Sequence, residues 1–370
     1  KKKIWMMLLC GALVCFPLGG CGINRADADT GSVQSEAASD HKTTKNSNAE
    51  YTSEVFAMDT YMTLTAYGEN AKEAVEAGIA EIQRLDALLS TGDANSEVAQ
   101  INQNGGGTLS EDTDYLVKRA LAIYQSTQGA FDISIYPVMQ LWGFTTGDFA
   151  VPSKEDLAAK LALVNAGRIS LTEDNGVSSI TLPEGMEIDL GGIAKGYTSG
   201  RVMEVMKRYG IESAVINLGG NAHVLGSKSD GSAWKVGIQD PNDTNGYLGG
   251  VSVRDKAIIT SGGYERYFVD EATGVKYHHI IDPKTGYSAN NGLISVTIVS
   301  ADSTLADGLS TSLFVLGTED AIAYCEEHCA EDGFDAIMED EDGKLYITDG
   351  IMDDFINMNN TTNIQKIKTK

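Results

Sequence analysis

The stretch DLGGIAKGY, residues 189–197, decides how the middle of the chain is interpreted. It follows Met-Glu-Ile at residues 186–188, which predicts a strand, and it opens a helical pattern that continues to about residue 209. A glycine-rich turn between a strand and a helix presents free backbone N–H groups and the positive end of the helix, which suit a phosphate. The spacing matches neither the Walker pattern nor GxGxxG, so a tight turn without a ligand stays the alternative.

The segments around this turn alternate between extended and helical periodicity. Residues 54–67 predict one or two strands, and most of residues 168–299 predict short strands separated by Gly, Asn and Asp clusters. Further strands are predicted near residues 335–338 and 344–348. Helices are predicted at about residues 70–90, 110–128, from 153, 193–209, 303–316 and 319–329. Strands gathered in the middle with helices at intervals predict an α+β fold with mixed, largely antiparallel sheets and packed helices.

Composition restricts the classes of ligand. The chain has 370 residues, of which 42% are apolar, and this is enough for a sizeable core. Its 52 acidic and 28 basic residues give a formal net charge of -24, which would repel a nucleic-acid backbone, and we expect no nucleic-acid binding. A phosphate-bearing ligand would have to be met by a metal ion, by oriented backbone amides or by a few placed cations.

The first residues have the layout of an export signal. Lys1, Lys2 and Lys3 precede an uncharged apolar run over residues 4–18, too short to span a bilayer. The run ends Leu-Gly-Gly-Cys at residues 18–21, which resembles the lipobox of bacterial lipoproteins. We therefore expect residues 1–20 to be a signal peptide and Cys21 to be lipidated, which predicts an extracytoplasmic protein anchored to a bacterial membrane. An ordinary signal followed by a chance cysteine is the alternative.

The composition then divides the rest of the chain. Residues 22–50 are mostly Ser, Asp, Asn, Thr, Ala and Lys, which is typical of a flexible tether. We expect the lipidated cysteine and tether to occupy residues 21–50, one catalytic domain to occupy residues 51–350, and a C-terminal tail to occupy residues 351–370.

A polar pair interrupts an apolar helix near the C-terminus. Asp307 and Thr311 are four residues apart, so their oxygens point the same way among apolar neighbours. A carboxylate drawn towards a core is costly unless a cation or donors meet it, and Mg²⁺ accepts carboxylate and hydroxyl oxygens. The alternative is a capped or surface Asp beside a Thr that bonds back to its own helix.

Two further motifs could contribute polar groups to a site: a second glycine turn and a pair of histidines. A second glycine turn, residues 217–221, ends a predicted strand, so two backbone-rich loops leave neighbouring elements. His278 and His279 precede the turn at residues 282–286, and adjacent strand residues face opposite sides, so at most one histidine is expected to face a site. Such a histidine could move a proton or act as a nucleophile, or it could simply be hydrogen-bonded.

Together these segments resemble the ApbE family of flavin transferases, which act on FAD and attach FMN through a phosphoester to a Ser or Thr of an acceptor protein. The resemblance covers about residues 58–349 and includes ordered motifs at residues 58–60, 129–132, 137–144, 189–197, 217–221, 260–266, 279–286 and 306–311. Asp59 departs from the family pattern, which more often has Gly at that position.

The resemblance implies a single T-fold-related catalytic domain and a set of site residues. Mg²⁺ would be held by Asp307, Thr311 and the main-chain oxygen of Ala194, and the catalytic residues would be His279 and Asp307. FAD, as substrate, would be contacted by Met58, Ala130, Phe131, Asp132, Asp189, Lys195, Tyr197 and Ile280. The implied partners are acceptor proteins, expected to be membrane-associated redox proteins.

Two other activities fit the same motifs. A hydrolase would split FAD into FMN and AMP, since water can replace the acceptor hydroxyl. A flavin-binding lipoprotein would hold FAD without chemistry, although Asp307, Thr311 and His279 together favour catalysis.

Overall fold

The computed structural model describes residues 49–243, 245–359 and 361–370. The predicted signal peptide, Cys21 and residues 21–48 of the predicted tether lie outside the described residues. Within these described ranges, no helix is both long enough and apolar enough to cross a bilayer.

Seventeen strands are present in the described part of the chain. They are β1 (Glu50–Ala57), β2 (Thr60–Tyr67), β3 (Gly106–Thr108), β4 (Ser170–Asp174), β5 (Val177–Thr181), β6 (Ser213–Leu218), β7 (Asn221–Gly226), β8 (Trp234–Gln239), β9 (Tyr247–Val253), β10 (Lys256–Gly262), β11 (Tyr267–Val269), β12 (Lys276–His278), β13 (Leu293–Ser300), β14 (Phe334–Asp340), β15 (Leu345–Thr348), β16 (Phe355–Ile356) and β17 (Ile364–Ile367).

Eight α-helices are interspersed with these strands in the same described ranges. They are α1 (Ala71–Leu89), α2 (Glu97–Asn104), α3 (Glu111–Ser126), α4 (Tyr136–Trp142), α5 (Lys154–Leu161), α6 (Gly191–Arg208), α7 (Ser303–Leu316) and α8 (Thr318–Asp332), with short 3-10 turns at Ile133–Ile135 and Ala166–Arg168.

A nine-stranded sheet organises the molecule. Its order is β1-β2-β6-β7-β10-β13-β14-β15-β17, and the neighbours are antiparallel except for the parallel pair β15 and β17. Three small sheets accompany it, in the orders β3-β5-β4, β16-β9-β8 and β11-β12. This arrangement confirms the predicted α+β class with largely antiparallel sheets.

The central strands are covered on both faces. In β10, Ala257 and Ile259 belong to the core that contains α7, whereas Ile258 between them packs with the β16-β9-β8 sheet. Successive strand residues point to opposite faces, so β10 contributes to two cores at once. The helices α1 and α6 cover β2 and β6 on one face. The middle of the sheet is thereby buried and can hold its strand ends in fixed positions.

Two sequence predictions differ from the structure. Residues 186–188 are not a strand: both backbone groups of Ile188 bond to the side-chain amide of Asn102, at 2.7 and 2.8 Å, in place of a partner strand. Residues 351–370, predicted as a tail, contain β16 and β17, and β17 extends the main sheet beside β15. Ile367 is buried there, which explains why this segment joins the domain.

The helices α6 and α7 touch through a glycine. A Cβ built on Gly196 would overlap the carbonyl oxygen of Ser303 and lie 2.5 Å from Cβ of Asp307. The Ser303 hydroxyl donates to the Gly196 carbonyl at 2.6 Å, and the Gly196 N–H donates to Asp307 Oδ2 at 2.7 Å. The absence of a side chain at residue 196 therefore lets polar groups of α7 bond directly to the backbone of α6.

We expect Gly196→Ala to lower the free energy of unfolding by about 2–3 kcal/mol, because the added methyl group has no space at this contact. Urea denaturation of the purified protein measures the loss. Gly92→Ala is the matched control, since a Cβ there meets only the Ser90 side chain at 3.8 Å. Equal stability of the two variants would contradict the proposed packing constraint.

Candidate active site

The loops and turns next to β2, β6, β7 and β10 lie at the same end of the main sheet. The strand β2 begins after the turn Met58-Asp59, the turn Gly219-Gly220 joins β6 to β7, and β10 runs towards the same end as far as Gly262. The two turns are in contact, since a Cβ on Gly219 would overlap the side chain of Thr60. Motifs that are far apart in sequence therefore meet at this end.

Asp59 occupies a left-handed backbone position. Its φ is 59° and that of Met58 is 48°, in the two-residue turn of the β1–β2 hairpin. Glycine adopts this conformation without steric cost, and Asp is among the residues that tolerate it best. The glycine that the ApbE resemblance favours at this place thus has a backbone reason, and Asp59 tolerates the conformation while adding a carboxylate near Asp189.

Asp307 is the buried acid of the site. Its side chain is 4% exposed, and its two oxygens accept from Gly196 N at 2.7 Å and from Asn221 Nδ2 at 3.1 Å. Burial raises the pKa of Asp307, while the positive charge of Lys195 and these two donors oppose the rise. Both donors are neutral, so the carboxylate can still attract a cation.

Hydroxyl groups adjoin this acid one helical turn further along α7. Thr311 Oγ1 lies 3.3 Å from Ser261 Oγ, which is also 2.8 Å from Ser310 Oγ. The Ser310 and Ser312 hydroxyls donate to carbonyls of their own helix, at 2.9 and 2.6 Å. The Thr311 hydroxyl instead contacts the Ser261 hydroxyl on β10. The donor set near α7 therefore consists of hard oxygen atoms from two elements.

Lys195 is the central cation of the cleft. Burial raises the pKa of Asp189, of Asp307 and of Glu265, and the positive charge of Lys195 opposes this rise in all three. Glu265 is exposed to solvent, but partial desolvation by the surrounding protein raises its pKa to about 7, with a further contribution from the charge of Asp307. Arg266 adds a second positive charge near Asp189. Two positive charges cannot balance three carboxyl groups together with a phosphate, so a phosphate ligand would need a further cation here.

His279 is held as a neutral base. Its backbone N–H donates to the carbonyl of Arg266 at 3.0 Å, and its Nδ1 lies 3.2 Å from the same oxygen. Because a carbonyl only accepts, Nδ1 is assigned the proton, which leaves the Nε2 lone pair available. Burial, then the charges of Arg266 and Lys195, lower the pKa of His279 to about 3. His278 instead directs Nε2 to Ala289 O at 2.9 Å.

A model of the ApbE family matches residues 58–338 of the chain. The chain belongs to the ApbE family.

Curated relatives and solved structures agree with this assignment. The FAD:protein FMN transferase of Klebsiella pneumoniae is 38% identical over 246 residues, which cover 65% of this chain and 75% of the relative. That of Treponema pallidum is 32% identical over 324 residues, 82% of this chain and 88% of the relative. The ApbE protein of Thermotoga maritima superposes with a TM-score of 0.75 at 32% identity, over 82% of this chain and 98% of its own. The flavin transferase ApbE of Vibrio cholerae gives 0.70 at 30% identity, over 81% and 97%.

Several residues that the ApbE resemblance assigned to flavin have structural contacts. Met58 N donates to Asp86 Oδ1 at 3.1 Å, and the Phe131 ring lies against Gly192, whose built Cβ would be 2.9 Å away. Ala130 and Ile280 are buried at 3% and 5% exposure. Of these residues, Phe131 contacts the first turn of α6, and Ala130 and Ile280 belong to the same hydrophobic core.

Asp132 and Tyr197 are already engaged within the fold. Asp132 accepts from Ser134 N at 2.8 Å and from Ala166 N at 3.1 Å, and its burial raises its pKa. The Tyr197 hydroxyl donates to Asp112 Oδ1 at 2.5 Å, so it points towards α3 and away from Asp307. The structure brings Asp189, Lys195, His279 and Asp307 together, but it does not direct the Tyr197 hydroxyl to them.

The ApbE motif at residues 137–144 supports the His279 segment. Trp142 Nε1 donates to Gly286 O at 2.8 Å, and the Arg266 guanidinium donates to the carbonyl of Phe144. Aromatic rings from β11, β12 and the following loop pack around Trp142. This cluster holds Arg266 and the residues after His279 in place.

Three polar residues of the cleft were not assigned roles from the sequence: Asn221, Glu265 and Arg266. They lie in motifs that contributed to the ApbE resemblance, at residues 217–221 and 260–266. Their residue types are common on protein surfaces, so only their place beside Asp307 and Lys195 distinguishes them.

We expect His279 to remain neutral from pH 8 down to pH 5, because the pKa of about 3 lies well below the ordinary value of 6.5. The unfolded chain takes up this proton near pH 6.5, so this group lowers folding stability as pH falls from 6.5 towards 3. NMR of the histidine-labelled protein, with His279→Gln for assignment, measures the titration. A midpoint near 6.5 would contradict the half-buried, positively surrounded environment of this ring.

Proposed function

We propose that this chain transfers FMN from FAD to a Ser or Thr hydroxyl of an acceptor protein. The observation that carries the proposal is the Asp307 carboxylate, bonded to the Gly196 amide and lying beside Lys195. The curated ApbE relatives are named FAD:protein FMN transferase, and the chain covers 75% and 88% of the lengths of those from Klebsiella pneumoniae and Treponema pallidum.

The residues near α7 fit a magnesium ion. Asp307 supplies a buried carboxylate met by neutral donors alone, and Thr311 supplies a hydroxyl; the main-chain oxygen of Ala194 is the third proposed ligand. In proteins, Mg²⁺ is commonly bound by one or two carboxylates together with substrate phosphates. The described residues contain no group of three or more His, Cys, Asp or Glu side chains arranged to bind a metal ion. When bound, Mg²⁺ would offset the charge of the pyrophosphate.

The chain's own groups would position and deprotonate the reactants. Lys195 and Arg266 would hold the phosphates of FAD by charge, and the backbone amides of the turn before α6 would add donors. The acceptor oxygen would form a bond to the phosphorus of the FMN half, while the bond from that phosphorus to the AMP oxygen breaks and AMP leaves with the electron pair. The Nε2 lone pair of His279 is the proposed acceptor of the hydroxyl proton.

FAD is a substrate in this scheme and has no redox role. Hydrolysis is the same displacement with water in place of the acceptor hydroxyl, so the two activities share the residues of the cleft. Simple flavin storage would need neither His279 nor the Asp307–Thr311 pair. A measurement of both AMP and attached flavin therefore separates the three activities.

The proposed location follows from the first residues of the chain. The charged and apolar layout of residues 1–20 and the Leu-Gly-Gly-Cys sequence support export and lipidation at Cys21. An anchored enzyme would meet acceptors at the outer face of the membrane, and membrane-associated redox proteins are the proposed class.

We expect the protein to label an acceptor only when FAD and Mg²⁺ are both present. The assay incubates residues 49–370 with FAD, Mg²⁺ and several acceptor proteins, among them that of the Vibrio cholerae transferase, and detects flavin fluorescence in a denaturing gel. EDTA should abolish labelling, and excess Mg²⁺ should restore it. Failure to label any acceptor would contradict transfer, and AMP release that acceptors leave unchanged would indicate a hydrolase.

We expect Asp307→Asn to lower the labelling rate by at least about 100-fold, because it removes the one charged ligand of the proposed set while keeping the side-chain shape. Thr311→Val should lower the rate about 10-fold or more and raise the Mg²⁺ concentration needed for half-maximal rate. Ser312→Ala is the control on the same helix, since its hydroxyl bonds to Gly308 O. Wild-type rates in both test variants would contradict the assigned metal ligands.

A further inference from the structure

Two aromatic side chains stand exposed on the hairpin beside the cleft. Phe56 and Tyr61 are 56% and 53% exposed, although large apolar and aromatic side chains are usually buried. They are cross-strand neighbours in the β1–β2 register, with ring centroids 5.1 Å apart in an edge-to-face arrangement. This pair lies directly behind the Met58-Asp59 turn that borders the site.

The rest of this hairpin face is polar. Along β1 the exposed positions before Phe56 are Glu50, Thr52 and Glu54, and the Thr52 hydroxyl lies 2.8 Å from that of Thr65 on β2. The opposite face of β2 contains Met62 and Leu64, which are fully buried under α1 and α6. The exposed aromatic surface is therefore confined to the end of the hairpin that adjoins the cleft.

A second exposed apolar group flanks the same cleft. The β11–β12 hairpin begins directly after Arg266 and ends directly before His279, and its residues Tyr267 and Val269 are 47% and 51% exposed. Lys276 Nζ lies 4.0 Å from the centroid of the Tyr267 ring. Since Arg266 and His279 belong to the cleft, this hairpin also lies at its rim.

We propose that the Phe56–Tyr61 pair, with the β11–β12 hairpin, forms the surface on which the acceptor protein docks during transfer. This inference rests on the proposed function, because intermolecular transfer requires the acceptor hydroxyl to reach the cleft between the two hairpins. The acceptor must then cover the rim, and exposed aromatic side chains are the residues that most often supply binding energy at protein interfaces.

The docking surface is tested by comparing two reactions of the same enzyme. In the chain of residues 49–370, the double variant Phe56→Ser/Tyr61→Ser should lower kcat/KM for the acceptor of the Vibrio cholerae transferase at least about 10-fold. The dissociation constant for FAD and the slow release of AMP in the absence of acceptor should stay within about twofold, because neither reaction uses the rim. The conservative variant Tyr61→Phe should retain labelling.

Tyr209→Ser is the matched control for the loss of an exposed aromatic side chain. Tyr209 is 40% exposed and follows the last residue of α6, about 27 Å along the helix from the cleft end at 1.5 Å per residue. Labelling by this control should equal that of the wild type.

The possible results separate the docking surface from the function on which it rests. Full labelling by the double variant would overturn the docking surface while leaving the transferase intact. Equal losses of FAD binding and labelling would also overturn it, since they would assign the two aromatic residues to the flavin cleft. A wild-type protein that neither binds FAD nor labels any acceptor would contradict the proposed function itself.

Discussion

The contact between Gly196 and Asp307 is the constraint on which the cleft depends. Only a glycine lets α7 approach α6 closely enough for a backbone N–H to bond to the carboxylate, and this bond keeps an acid in a buried position. The side-chain amide of Asn221, the first residue of β7, donates to the other oxygen of Asp307. One acid thus ties together two helices and the main sheet. The same burial that raises its pKa also makes it a strong attractor for a cation.

The main sheet supplies the second requirement, which is convergence of distant segments. Antiparallel pairing of β2, β6, β7 and β10 brings the ends of these strands to one edge of the molecule, so residues as far apart in the chain as Thr60 and Gly219 become neighbours. Because the middle strands are buried on both faces, their ends are fixed by packing. The loops there can then hold strained conformations, as the left-handed Met58 and Asp59 show.

The parts of the fold that could be predicted are those that local pattern determines. The helix at residues 303–316 was predicted with the bounds that α7 has, since its apolar periodicity is strong and Asp302 caps its start. The prediction of a strand at residues 186–188 was wrong, because the backbone of Ile188 bonds to the side chain of Asn102, 86 positions away, and not to another strand. The pairing of β17 with β15 is likewise a long-range effect. In the cleft, the closeness of Asp307 to Ala194 at the start of α6 was implied only by the ApbE resemblance, and Glu265 and Arg266 acquire their importance only through their place after β10.

The direction of β1 has a consequence for how the molecule meets its surroundings. The described chain enters the domain at the start of β1, and the eight residues of this strand run about 26 Å to the Met58-Asp59 turn. The start of β1 and the cleft are thus at opposite ends of the β1–β2 hairpin. If the segment before β1 is anchored at Cys21 as proposed, the anchor joins the domain about 26 Å from the cleft, and the predicted flexible tether lets the cleft turn towards a partner in the same membrane.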